Sequence, residues 1–150
     1  MAMSRRAGGW SLLALAWLAL TPLARAQAAH AEKASAATAL EQKWGVVPVA
    51  VRLSAAGRLV DFRYRVLDAA KAASLFKSKV KPSLKDLAAG TVLDMPTDTK
   101  LGALRSSPRS QAIVGKQYFV LFSNPLQAVK RGARVEISLG DCVFTDLIVE

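Results

Sequence analysis

The side chains that carry most protein chemistry are scarce in this 150-residue chain, which holds one His, His30, and one Cys, Cys142. Nucleophilic catalysis by Ser or Cys needs a base within reach, most often His. His30 lies in an Ala-rich stretch near the N-terminus, far in sequence from Cys142 and from Ser106, Ser107 and Ser110. A Ser-Lys pair would dispense with His, and those three serines do lie among basic residues. Spacing alone does not assemble such a pair, and an ordinary polar loop accounts for them. A structural zinc site takes about four Cys or His ligands, and one of each at opposite ends does not make one. Imidazole suits copper, and an α-amino group freed close to His30 would help hold it. His30 is therefore a weak metal candidate, and a solvated tail His is the plainer reading. The expectation is no catalytic residue, no cofactor and no built metal site.

The carboxylates point the same way. Asp94 and Asp98 bracket a Pro-containing turn, and Asp141 and Asp146 lie near a hairpin close to the C-terminus. Turn Asp residues commonly bond their own backbone, and no glycine-rich phosphate loop is present. Cys142 reads as a small buried hydrophobe, with an exposed thiol that pairs to a second protein as the alternative. What remains is cationic. Lys71, Lys77, Lys79, Lys81 and Lys85 form one cluster, and Lys100, Arg105, Arg109 and Lys116 line a long loop. Binding commonly resides in loops on a rigid scaffold, so this basic loop is the preferred partner-binding region.

Those residues sit behind a segment that reads as an address. Arg5 and Arg6 precede an apolar run from Trp10 to Leu20, and Ala24-Arg25-Ala26 fits the small-x-small rule of signal peptidase. The run is shorter than the roughly 20 residues of a spanning helix. Residues 1–26 are therefore expected to be a cleaved signal peptide, leaving no transmembrane segment and placing the chain in the periplasm or outside the cell. Removing Arg5, Arg6 and Arg25 leaves 18 basic residues against 11 acidic ones, a net charge of about +7. Such a balance attracts anionic partners. Outside the cytoplasm these are lipid headgroups, polysaccharides and acidic proteins rather than nucleic acid.

Residues 27–43 read as an Ala-rich spacer, and residues 44–150 as one domain. Val47, Val49, Val51 and Leu53 alternate with Pro48, Ala50 and Arg52. Val60, Phe62, Tyr64 and Val66 alternate with Asp61, Arg63 and Arg65. Period-two alternation marks half-buried strands, and Ala55-Ala56-Gly57 between them fits a hairpin loop. Asp68 fits the N-cap of a short helical turn at Ala69–Ala73. A shorter strand pair is expected at Val80–Leu87 and Thr91–Met95, with Pro82 confining the first to an edge or a strand end. Residues 96–116 read as a long loop. Tyr118–Phe122 is apolar on both faces, as in a covered central strand. Val135, Ile137 and Leu139 alternate, Gly140-Asp141 is a two-residue hairpin signal, and a strand from Val143 to Val149 follows, with Cys142, Phe144 and Ile148 on one face. Six or seven short strands with one short helical turn predict an all-β, immunoglobulin-like antiparallel sandwich.

The runs Asp61-Phe62-Arg63-Tyr64-Arg65-Val66-Leu67-Asp68, Lys81-Pro82-Ser83-Leu84 and Leu101-Gly102-Ala103-Leu104-Arg105 resemble a group of small exported bacterial proteins of unassigned function. So do Tyr118, Phe122 and Asn124, and Val135 through Gly140-Asp141. The resemblance covers about residues 44–150, implies an exported β-rich domain, and brings no catalytic residues with it. The functional expectation is a secreted, non-enzymatic interaction or structural module of the bacterial cell envelope that binds an anionic or protein partner. It would dock through the basic loop or an exposed strand edge. The alternative is a small periplasmic carrier of a metal ion or an anionic ligand.

Overall fold

Residues 38–77, 79–96 and 104–150 are described by the computed structural model of the chain. The signal-peptide reading, most of the Ala-rich stretch, His30 and Lys100 fall outside them. Helix α1 covers residues 38–44. Strands β1 (Val46–Ser54) and β2 (Leu59–Val66) follow, then helix α2 (Ala69–Ala72) and a 3-10 turn (Ala73–Phe76). The chain continues through β3 (Pro82–Asp86), β4 (Val92–Asp94), β5 (Gln117–Ser123), β6 (Arg134–Leu139) and β7 (Cys142–Ile148). These strands form two antiparallel sheets, of order β1-β2-β5 and β4-β3-β6-β7.

Strand β2 organises the first sheet because its alternation is unbroken. Val60, Phe62, Tyr64 and Val66 are all fully buried. Phe62 meets Phe144 of the opposite sheet edge-on, with ring centroids 4.9 Å apart, a geometry that favours aromatic pairs beyond the area they bury. Tyr64 adds ring contacts to Phe76, Tyr118 and Phe144. The core therefore lies between the sheets, and its aromatic part extends toward the 3-10 turn. Leu40 and Trp44 of α1 pack against it. Gly45 joins α1 to β1 with a φ of +62°, and a Cβ there would lie 2.6 Å from the Cβ of Asp68. Only glycine fits this crossing, and its carbonyl accepts the amides of Leu67 and Asp68.

Several expected details hold. The loop between β1 and β2 turns at Ala55, Ala56 and Gly57, all with positive φ. Asp68 caps α2, its Oδ1 accepting from the Ala70 and Lys71 amides. Pro82 opens β3, where its missing donor costs least, and β3 lies inside its sheet between β4 and β6. Gly140, at a φ of +67°, turns β6 into β7.

Three details differ, each for a local reason. The register of β1 shifts between Pro48 and Ala50. This bulge puts Val46 and Val51 in the core and turns Val49 out to 41% exposure, instead of the uniform alternation expected. Opposite β6, β7 is irregular around Asp146, which has a φ of +57°. Cys142 and Phe144 stay buried, but the phase then flips, so that Leu147 and Val149 point inward and Ile148 is exposed. Strand β5 is an edge strand rather than a central one. Its second apolar face is half covered: Leu104 and Ser106 bond along its free edge through the Leu121 amide and the Phe119 carbonyl, leaving Phe119 and Leu121 half-buried.

Candidate functional site

The end of the sandwich where β2 leaves the sheet carries α2, the 3-10 turn and part of the basic loop. There α2 and the 3-10 turn face residues 108–112 across a cleft of about 330 Å³. Ala69, Ala70, Ala73 and Phe76 form one wall, and Pro108, Ser110, Gln111 and Ala112 the other. Small side chains on α2 keep the cleft open, and Phe76 floors it with part of the aromatic cluster, 4.8 Å from the ring of Tyr118.

The second wall is fixed by bonds that the local sequence hides. The Arg105 guanidinium donates from Nη1 to the Val80 carbonyl at 3.2 Å and from Nη2 to the Leu75 carbonyl. It thus ties the start of this segment to the 3-10 turn and to the stretch that follows it. Ser106 Oγ accepts the Phe119 amide at 2.8 Å, which gives that serine a structural task. The Tyr118 hydroxyl accepts the Ile113 amide at 3.0 Å. The Gly115 amide then bonds to the Val66 carbonyl at 2.8 Å, and Lys116 returns its carbonyl to the Val66 amide at 3.2 Å. The loop is latched to the end of β2 at several points.

The basic residues expected to act together are divided by this arrangement. Arg105 is half-buried and turned inward, and burial lowers its pKa against the opposing influence of the Tyr64 hydroxyl. Its Nε and the Tyr64 hydroxyl are both buried without a hydrogen-bond partner, and desolvation raises the Tyr64 pKa. Arg109 and Lys116 are exposed, with Lys116 Nζ 5.6 Å from the Tyr118 ring centroid. Lys71 is exposed on α2, its Nζ 4.0 Å from Asp68. Lys100 lies outside the described residues.

Cys142 is fully buried, and burial pushes its thiol up to about 12 against the charge of Lys43. It packs as core and offers no exposed sulfur to a second protein, a correction to the intermolecular-thiol alternative. Asp146 is paired to Arg134; Asp94 and Asp141 are exposed and far apart in sequence. Among the described residues, no group of three or more His, Cys, Asp or Glu could hold a metal ion. None of the described helices is long and apolar enough to cross a membrane.

Two further residues belong to this end and were not singled out from their types. Ile113 and Val114 form the outer corner of the latched loop and are 56% and 61% exposed. Their signal in the sequence is two adjacent β-branched residues inside a polar loop with no strand to join. Comparison of the chain with protein-family models, with curated proteins and with solved structures finds no match.

Proposed function

We propose that the chain is exported and acts outside the cytoplasm, in the periplasm or beyond, as a non-enzymatic interaction module of the bacterial cell envelope. It docks an anionic partner through the end of the sandwich built by α2 and residues 108–116. The observation that carries this reading is that the two segments walling the cleft also carry exposed cations, Lys71 on α2 and Arg109 on the facing segment, with Lys116 where that segment bonds to the end of β2. Asp68, the acid beside Lys71, is already engaged in capping α2. A net positive field over a latched loop steers anions and loses little entropy when they arrive.

Docking by strand addition is the weaker route, because each sheet edge carries a recognised obstacle to pairing. Strand β1 has Pro48 and a bulge, and its far half is bonded to Glu150. Strand β7 is bulged around Asp146, β5 is lined by Leu104 and Ser106, and β4 has three residues.

The finer fold reading is an immunoglobulin-like sandwich. Lettering the strands A to G in chain order gives A-B-E and D-C-F-G. Constant-type domains pair A-B-E-D with C-F-G, so the difference is the sheet that the fourth strand joins. The Tyr118 hydroxyl, bonded to a backbone amide five residues upstream, supports the reading as a lock of the tyrosine-corner kind, moved here to the fifth strand.

The test replaces Lys71, Arg109 and Lys116 together by Gln and measures retention on an immobilised polyanion, polyphosphate, over a salt series. The parent chain should be retained with a steep salt dependence, and the triple variant should elute earlier with a shallower one. Equal retention of the two proteins removes this surface from the reading. The cleft also keeps the anionic-ligand carrier in play, and native mass spectrometry of the chain from its own envelope separates the two: a stoichiometric added mass favours the carrier.

A further inference from the structure

The corner at Ile113 and Val114 combines exposed aliphatic surface with a rigid backbone and a cationic rim. Leu67, 43% exposed, lies beside it, because the Gly115 and Lys116 backbone bonds to Val66, the residue before Leu67. The side chains are held outward rather than left over. The Ile113 amide is fixed by Tyr118, the Lys116 amide returns to the Ile113 carbonyl at 3.2 Å, and Gly115 makes the turn with a φ of +80°. Ala112, the next residue inward, is buried. Leu126, the most exposed large apolar residue at 88%, belongs to the opposite end, where its neighbour Gln127 bonds to Ala56. Leu67, Ile113 and Val114 thus bring three exposed aliphatic side chains from two bonded segments to the end that also carries Lys71, Arg109 and Lys116.

We propose that this corner is a membrane-docking tip. Leu67, Ile113 and Val114 enter the headgroup layer of an anionic bilayer while Lys71, Arg109 and Lys116 meet the lipid phosphates. The inference rests on the anionic-partner reading above and names that partner. Charge complementarity and shape argue for lipid. The tip is a convex turn of aliphatic residues without an exposed aromatic, whereas protein hot spots are enriched in Trp, Tyr and Arg seated in pockets. A bilayer interface accepts a small convex wedge and adds electrostatic attraction to apolar burial. Each basic side chain near an anionic surface contributes roughly a fivefold gain in binding. Neither the short apolar tip nor the cations would hold the chain alone, and two signals together give stable anchoring.

The experiment uses the full exported chain in cosedimentation with phosphatidylcholine vesicles, with and without phosphatidylglycerol, and compares it with the uncharged double variant Ile113→Ser, Val114→Ser. Both substitutions are at exposed positions and add no charge, and thermal melts check that the variant is folded. Binding is expected only to the vesicles containing phosphatidylglycerol, with a loss of about tenfold or more in the variant, whereas retention on polyphosphate, set by the cations that the variant keeps, should fall by less than about twofold. A tryptophan placed at Ile113 should shift its emission to the blue on those vesicles. Equal vesicle binding by parent and variant overturns the tip and leaves the cationic surface standing. Retention on polyphosphate without vesicle binding overturns the lipid as partner. Loss of both in the parent chain overturns the anionic-partner reading itself.

Discussion

Asn124 and Val129 clasp each other through two hydrogen bonds: Asn124 Nδ2 donates to the Val129 carbonyl at 2.8 Å, and Asn124 Oδ1 accepts the Val129 amide at 3.1 Å. The second Nδ2 hydrogen reaches the Gly57 carbonyl at 2.9 Å. One fully buried side chain thus closes the β5–β6 connection and ties it to the β1–β2 turn. Its Oδ1 and both of its amide hydrogens are engaged, as a buried amide requires. Asn124→Ala would leave three backbone groups without this partner, each costing about 1–3 kcal/mol where water cannot replace it. We expect a loss of roughly 3 kcal/mol or more in urea denaturation. Asn124→Asp should be at least as damaging, since a carboxylate would face two carbonyls. A loss below about 1 kcal/mol would mean that water satisfies the clasp.

Arg105 and Arg109 stand four positions apart in one basic loop, yet they should respond oppositely to substitution. Arg105→Ala takes the donor from the Leu75 and Val80 carbonyls. Hydrogen bonds from charged donors contribute about 1.5–3 kcal/mol each, and removing the buried, unpartnered Nε offsets part of the loss of two, so a destabilisation of roughly 2–4 kcal/mol is expected. Arg105→Lys should recover only part of it, because an ammonium lacks the planar fork that spans two carbonyls. Arg109→Gln should move stability by less than about 0.5 kcal/mol and should reduce polyanion retention. Thermal unfolding and salt elution of the three variants check both halves.

That pair also shows where sequence reasoning stops. Composition places a charge in a loop, but whether the side chain turns inward depends on a carbonyl 30 residues away. Strand β2 was legible because its register never shifts against β1 beyond Ala50 or against β5, so alternation maps directly onto burial. The expected face of β7 held only as far as its bulge, and that of β1 only beyond its own. One extra residue at Pro48/Ala50, or a left-handed Asp146, reverses every later side chain, and neither bulge is marked by a glycine. The apolar second face of β5 predicted full cover, whereas the cover is a passing segment that pairs along its edge. Ile113 and Val114 carry no periodic signal of this kind, because a loop has no period that marks which of its aliphatic side chains stay exposed.

Two buried groups should make the fold sensitive to alkali. Burial pushes the Cys142 thiol from 9.0 up to about 12, and it raises the Tyr64 hydroxyl as well. Both groups hold their protons more tightly in the folded chain than in the unfolded one. Below pH 9 neither state has released the thiol proton, so the contribution is fully present there. As the pH rises past 9 the unfolded chain ionises first, and stability is lost progressively toward pH 12. The urea midpoint should fall over this window, and Tyr64→Phe combined with Cys142→Ala should flatten the fall. Tyr64→Phe alone should be neutral or stabilising near pH 7, because the hydroxyl it removes is buried without a partner. A parent midpoint that stays level above pH 9, or an equally steep double variant, would show that other groups govern the alkaline limb.

The β1–β2 turn offers a gain rather than a loss. Ala55 and Ala56 have φ values of +50° and +54°, a region that costs an L-residue roughly 1–2 kcal/mol. The turn tolerates this because its carbonyls are taken from outside: Gln127 Nε2 bonds to Ala56 at 3.1 Å, and Asn124 bonds to Gly57. Ala56→Gly removes the Cβ clash and keeps the backbone bonds. Against that gain stands the extra freedom of glycine in the unfolded chain, about 0.4–1 kcal/mol. The net expectation is a stabilisation of up to about 1 kcal/mol, read as a higher urea midpoint with an unchanged denaturant slope. In an Asn124→Ala background the same substitution should gain less, because the turn is then free to leave its left-handed conformation and the strain it relieves is already partly gone. A gain of equal size in both backgrounds would show that the strain is set by the turn itself and not imposed by the β5–β6 connection.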